Sequence, residues 1–316
     1  MVRNRFAVED NVHLALIGAP LLSDHSADGV ELVPGIVRSA GGLAVLQGLP
    51  GAAARDFGLL DFPKETGEDI STPAGRVRRH ERVRLSLLKV ARAAALAIEE
   101  GYVPVVVGGD CTVLLGALAG VHDGRPGRRV GLLSLDGQLE YHTHTGPTGE
   151  VEPTRAVLSL AAGKGDLQLA RLARNDFPLV QERDVVRAGV REASPEELAA
   201  AAHVTVVPAT VMGGGSGEAR MTEEMGKLLH RVPDIVFHVS ATVLSSAAFP
   251  PSIAPQGPGG ISAVIFRRTV DELVAWRHQG SARLAAVVIS GVDGRQDPGG
   301  VLTRSLFENV ARVGAD

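Results

Sequence analysis

At 316 residues the chain is long enough for one large α/β domain or two small ones, and its 45% hydrophobic and 22% charged residues are ordinary for a globular protein. The 32 basic and 36 acidic residues leave a net charge of −4, too mild to imply nucleic acid or an anionic membrane as partner, and one Trp with two Tyr offers little for stacking on bases. A single cysteine excludes an internal disulfide, no uninterrupted apolar run reaches membrane-spanning length, and "MVRNRFAVEDNVHLAL" lacks a secretion-type core, so the expected address is cytoplasmic.

Along the chain, short β-branched runs alternate with longer helical patterns. "HLALIG" (13–18) and "RDFGLLD" (55–61) read as strands, and a helix is predicted over 78–101, where apolar residues recur at three- and four-residue spacing and Gly101 stops the run. The strand "VPVVVG" (103–108) follows, then a helix near 112–119 and the strand "RVGLLSLD" (129–136). The second half repeats the alternation. Strands are expected at 184–190, 204–209, 234–241 and 284–290, with helices near 195–202, 218–231, 268–279 and 302–313. Several strands are apolar on both faces, as in a parallel sheet covered by helices on both sides. "GGGSG" (213–217) reads as a surface loop, since no motif lysine follows it. No Ser/Gly linker, charge block or internal repeat divides the chain. The expectation is therefore one domain over 1–316, a three-layer αβα sandwich around a mainly parallel eight-stranded sheet.

In open α/β sheets, ligands sit beyond the carboxyl ends of the strands. There the sequence places Gly108-Gly109-Asp110-Cys111, then Asp136-Gly137-Gln138-Leu139-Glu140 followed by Tyr141, His142, Thr143 and His144, then Ser240-Ala241-Thr242 with Ser245, and finally Gly291-Val292-Asp293. Cys111 is open to three readings: a metal ligand, a nucleophile, or a small apolar filler. A place at a helix start would favour thiolate, and His142 or His144 could then serve as its base. Asp136 could merely cap a turn, and Ser240 and Thr242 could satisfy their own backbone.

With these strand ends, the chain resembles the arginase/agmatinase (ureohydrolase) superfamily. The likeness extends to "DGVELVPGIVRSAGG" (28–42), "TGPTGE" (145–150) with Thr148, "FPPSIAPQGPGGIS" (249–262) and "DPGG" (297–300). It implies the arginase fold, and in the family two Mn²⁺ ions activate a hydroxide against a guanidinium carbon. The family's metal positions fall here on Cys111, Asp136, Gln138, Glu140, Ser240 and Thr242, and a last acid falls near Gly291. Two carboxylates and a thiol cannot balance two Mn²⁺ ions, so no metal centre and no other cofactor is expected, with a single loosely held ion left open. All six positions nonetheless remain polar or reactive, which argues that a site persists. The expected function is a metal-independent enzyme acting at a C–N or acyl bond of a small amine, amino acid or guanidino compound. In it Cys111 or water attacks, Asp136, Glu140 and His142 orient substrate or move protons, and Gln138, His144, Thr148, Ser240 and Thr242 bind. The alternatives are a non-catalytic pseudoenzyme that binds ligand or an active paralogue, and an orthodox Mn²⁺ ureohydrolase. The resemblance also implies a homo-oligomer, trimeric or hexameric.

Overall fold

The computed structural model describes residues 12–23, 28–69, 71–143, 152–174, 177–253 and 259–315. In chain order these form β1 (Val12–Ala19), α1 (Val33–Ser39), α2 (Gly42–Gln47), β2 (Ala52–Leu59), α3 (Pro73–Glu99), β3 (Val103–Gly108), α4 (Val113–Gly124) and β4 (Gly131–Leu135). There follow α5 (Val157–Ala161), α6 (Leu167–Ala170), β5 (Val185–Val190), α7 (Pro195–Ala200), β6 (Thr205–Pro208), α8 (Ala209–Met212) and α9 (Gly217–Arg231). The chain closes with β7 (Asp234–Ser240), α10 (Ala263–His278), β8 (Arg283–Ser290) and α11 (Val301–Ala311).

The eight strands make one sheet in the order β2-β1-β3-β8-β7-β4-β5-β6, and every pairing is parallel. Each predicted strand is present within a few residues of its expected bounds. One apolar cluster packs α3, α4 and α5 on one face of the sheet, and a second packs α1, α2, α9, α10 and α11 on the other. This is the expected αβα sandwich. Among the described residues, no helix is long and apolar enough to cross a membrane.

Helix α3 begins at Pro73, ahead of the expected 78, because Thr72 caps it by accepting a hydrogen bond from the Gly75 N–H at 3.0 Å. Its partner α4 carries Gly116, Gly120 and Gly124, four residues apart and so on one face. A Cβ on Gly120 would lie 2.5 Å from the Ala91 carbonyl oxygen, and one on Gly116 would lie 2.7 Å from the Val90 Cβ. The glycine stripe lets two helices touch backbone to backbone beneath the β3 turn. "GGGSG" forms the exposed turn between α8 and the start of α9, in keeping with a surface loop.

Candidate functional site

The strands β3, β8, β7, β4 and β5 are adjacent in the sheet, and their carboxyl ends bring the candidate residues together. After β3, Asp110 is fully buried and accepts from the Ser23 N–H and hydroxyl at 2.6 and 2.8 Å and from the Thr112 N–H at 3.0 Å. It holds the turn. Cys111 follows, 6% exposed, with Sγ 3.5 Å from the Thr154 carbonyl oxygen. Burial pushes its thiol well above the ordinary range, and the nearby carboxyl groups of Glu140, Asp110 and Asp136 add to that shift. Of the readings open for Cys111, this burial favours the packed apolar filler over the thiolate that a helix start would favour. Desolvation and three acids outweigh the helix, which begins only at Val113.

After β4, Asp136 and Thr242 brace one another. The Thr242 hydroxyl donates to Asp136 Oδ1 at 2.6 Å, the Gln138 N–H donates to the same oxygen at 3.0 Å, and Ser240 Oγ lies 2.8 Å from Thr242 Oγ1. Ser240 and Thr242 thus serve Asp136 from within the buried cluster. A Cβ on Gly291, at φ 76°, would lie 2.6 Å from Ser240 Oγ, so position 291 itself has no room for a side chain. Glu140 is the one non-glycine with positive φ (55°) among the described residues, a conformation that costs on the order of 1 kcal/mol and must be imposed by its surroundings. Its carbonyl accepts from the Leu158 N–H at 3.0 Å, and the following Tyr141 N–H donates to Glu197 at 3.0 Å. Burial and the neighbouring Asp136 push the Glu140 carboxyl up to about 8, against the opposing pull of Arg187 and the Cys111 thiol.

Sequence reasoning missed Arg187, which sits wholly buried within β5. Its Nε donates to the Gln138 carbonyl at 2.9 Å, its Nη1 to Ser134 Oγ at 2.7 Å and its Nη2 to Glu140 Oε2 at 2.7 Å. Asp136 Oδ2 lies 2.9 Å from Nη2 yet forms no hydrogen bond, so this contact is an ion pair off the N–H direction. The parallel register sets Arg187, Ser134 and His238 side by side on three strands. His238 bonds Ser134 Oγ at 2.8 Å through Nδ1 and Ser290 Oγ at 2.9 Å through Nε2. Burial, with Arg187 adding, holds His238 well below the usual imidazole range. The available signal was an Arg and a His inside strands otherwise apolar on both faces.

Beside this cluster opens a cavity of about 390 Å³ lined by Glu140, His142, Arg155, Arg191, Glu192 and Glu197, among others. Gln138 also lines it, its amide nitrogen 3.4 Å from Glu192. His142 Nε2 stands 3.4 Å from Glu197 Oε1. Arg191 Nε and Nη2 are buried without a hydrogen-bond partner among the described residues. His144, Thr148 and "TGPTGE" lie outside the described residues. Among the described residues, no three His, Cys, Asp or Glu side chains converge as a metal-ligand group.

A family model described as "Arginase family" matches residues 12–288. The arginase of Bacillus caldovelox is 28% identical over 180 residues, 56% of this chain and 58% of that relative, so the chain spans little more than half of the relative's length in the match. The crystal structure of Bacillus caldovelox arginase superposes with a TM-score of 0.81 at 20% identity, covering 98% of this chain and 99% of that one. The formimidoylglutamase structure from Bacillus subtilis subsp. subtilis str. 168 gives a TM-score of 0.68 at 18% identity, covering 98% and 88%. At these identities the structures speak for the fold alone.

Proposed function

This chain belongs to the arginase family, and from that premise we propose that it works without a metal, acting at a C–N or acyl bond of a small amine, amino acid or guanidino compound. The observation that carries this reading is the donor set at the family's metal positions. Cys111 is a soft sulfur donor, Gln138, Ser240 and Thr242 are neutral donors, and the two carboxyl groups of Asp136 and Glu140 already face Arg187. Hard divalent cations need anionic oxygens in number, and these residues do not fit a dinuclear Mn²⁺ centre.

The cavity favours a small ligand bearing both signs of charge. Arg191 offers the side-on Nε/Nη2 fork that suits a carboxylate, while Glu140, Glu192 and Glu197 suit an amine or guanidinium. Of the two nucleophiles open from the sequence, water is favoured, because a thiol pushed this far up stays protonated. In the proposed hydrolysis, His142, oriented by Glu197, takes a proton from the attacking water. Glu140, protonated at neutral pH, gives a proton to the leaving nitrogen as the C–N bond breaks. Gln138 would hold the ligand by hydrogen bonds. Arginase from Bacillus caldovelox is named for a guanidino amino acid and the Bacillus subtilis structure for a formimidoyl one, and both classes fall within this proposal. Ligand binding without turnover is the second reading, supported by the 0–6% exposure of Asp136, Glu140 and Cys111.

Protein incubated with excess Mn²⁺ and desalted should retain well under about one equivalent. Metal-free protein should release ammonia or an amine from a member of this ligand class. Two tightly held ions, with urea released from arginine or agmatine only when they are present, would overturn the proposal. Tight ligand binding with no product would select the second reading.

A further inference from the structure

We propose that Arg187 is the resident cation of this site, a guanidinium built into β5 that balances the charge of the Asp136–Glu140 pair, hydrogen-bonds Glu140 and fixes the positions of both carboxyl groups. This rests on the reading that the site works without a metal. Arginine is rarely placed inside a strand buried on both faces, because a desolvated charge is tolerated only when it is paired and fully hydrogen-bonded. Arg187 meets that condition at all three nitrogens. Each is engaged by a different group: the Gln138 carbonyl, the Ser134 hydroxyl and the Glu140 carboxyl, with Asp136 Oδ2 2.9 Å away. Two of its contacts are to acids at opposite ends of one five-residue turn, 136–140, so the guanidinium spans the turn much as a bound ion would.

The polar row across the sheet locks the cation in place. Ser134 Oγ accepts from Arg187 Nη1 and lies 2.8 Å from His238 Nδ1. His238 Nε2 lies 2.9 Å from Ser290 Oγ, so the ring is held between two hydroxyls that each can donate or accept. The row presents a neutral imidazole to the guanidinium and adds no second positive charge. It also ties the Arg187 head to β4, β7 and β8 at once, which a mobile ion could not achieve. Asp136 Oδ2, buried and without a hydrogen bond, shows that the acidic pair is not fully served by one guanidinium. A cavity left by removing that side chain should therefore attract a cation of matching shape.

The test uses the full chain and ethylguanidinium, the truncated arginine side chain, at non-denaturing concentration. Arg187→Ala should lose thermal stability, bind ethylguanidinium at least about tenfold more tightly than wild type, and regain stability in its presence. Wild type, in which Arg187 already fills that slot, should gain clearly less stability than the variant, through the neighbouring cavity alone. An Arg187→Ala protein that folds and ignores ethylguanidinium would overturn the proposal. If that variant does not fold, the decision passes to Arg187→Met, which keeps volume, compared with Asp136→Asn/Glu140→Gln/Arg187→Met. Neutralising both acids should restore folding without any added cation. A triple variant as unstable as Arg187→Met would show that the side chain matters for packing alone, and would overturn the assignment. Failure of the metal-free reading looks different. Wild type would then retain Mn²⁺, whereas metal-free wild type with an indifferent Arg187→Ala overturns only the role given to Arg187.

Discussion

At Cys111 two electrostatic effects compete, and their balance separates a nucleophile from a packed thiol. A helix start favours the anion by a fraction of a pKa unit to about one unit, whereas burial beside carboxyl groups opposes it by more. The residue is 6% exposed and faces Glu140, so the neutral thiol wins. Iodoacetamide should accordingly modify native Cys111 more slowly than a free thiol of pKa about 8.5, and Cys111→Ala should cost about 1 kcal/mol by denaturant titration. Rapid alkylation blocked by a ligand would return the nucleophilic reading. The sequence located Cys111, Asp136, Gln138, Glu140, Ser240 and Thr242 because strand-end position is visible in a string of letters. Their engagement was not visible. Arg187 and His238 lie inside runs dominated by Val and Ile, and only the parallel register, which sets Ser134 opposite both, reveals that they form a row. Arg191 was passed over because its unpaired fork is a property of the folded surroundings.

Among the elements, all eight strands were legible, and β-branched runs bounded by glycine or acid mark most of them. Strand β2, with no β-branched residue and a largely unburied edge position, was readable only from its short apolar run before Asp61. The short helices α1, α2, α5, α6 and α8 span four to seven residues each, too little for a 3.6-residue period to show. The early start of α3 was readable in Thr72-Pro73, a cap followed by a first-turn proline. The glycine stripe of α4 carries the strongest demand on packing. Gly120→Val should cost roughly 1–3 kcal/mol or more, because a Cβ there already meets Ala91 and Ala94 within 2.6 Å. Gly215→Ala, with nothing within 4 Å, is the matched control and should change stability by less than about 0.5 kcal/mol. Equal denaturation midpoints for the two variants would mean that α3 and α4 can part without penalty, and the β3 turn would then lack its rigid support.

For the molecule as a whole, fold and chemistry separate under the proposed metal-free reading. The sheet order and nearly the full length superpose on Bacillus caldovelox arginase at 20% identity, while the positions that the family pattern gives to metal carry neutral donors and an internal ion pair. A sandwich of this kind depends on apolar packing on both faces of the sheet, and that packing tolerates change at the strand ends. Carboxyl groups at those ends still need a positive partner, and under the proposed metal-free reading the guanidinium on the next strand provides it. The most direct measurement is diffraction from crystals grown or soaked with Mn²⁺, with anomalous data collected at the manganese absorption edge. No anomalous peak is expected between Asp136, Glu140 and Cys111, with density for the Arg187 guanidinium in contact with both acids. A manganese peak at that position, with Arg187 displaced, would contradict it.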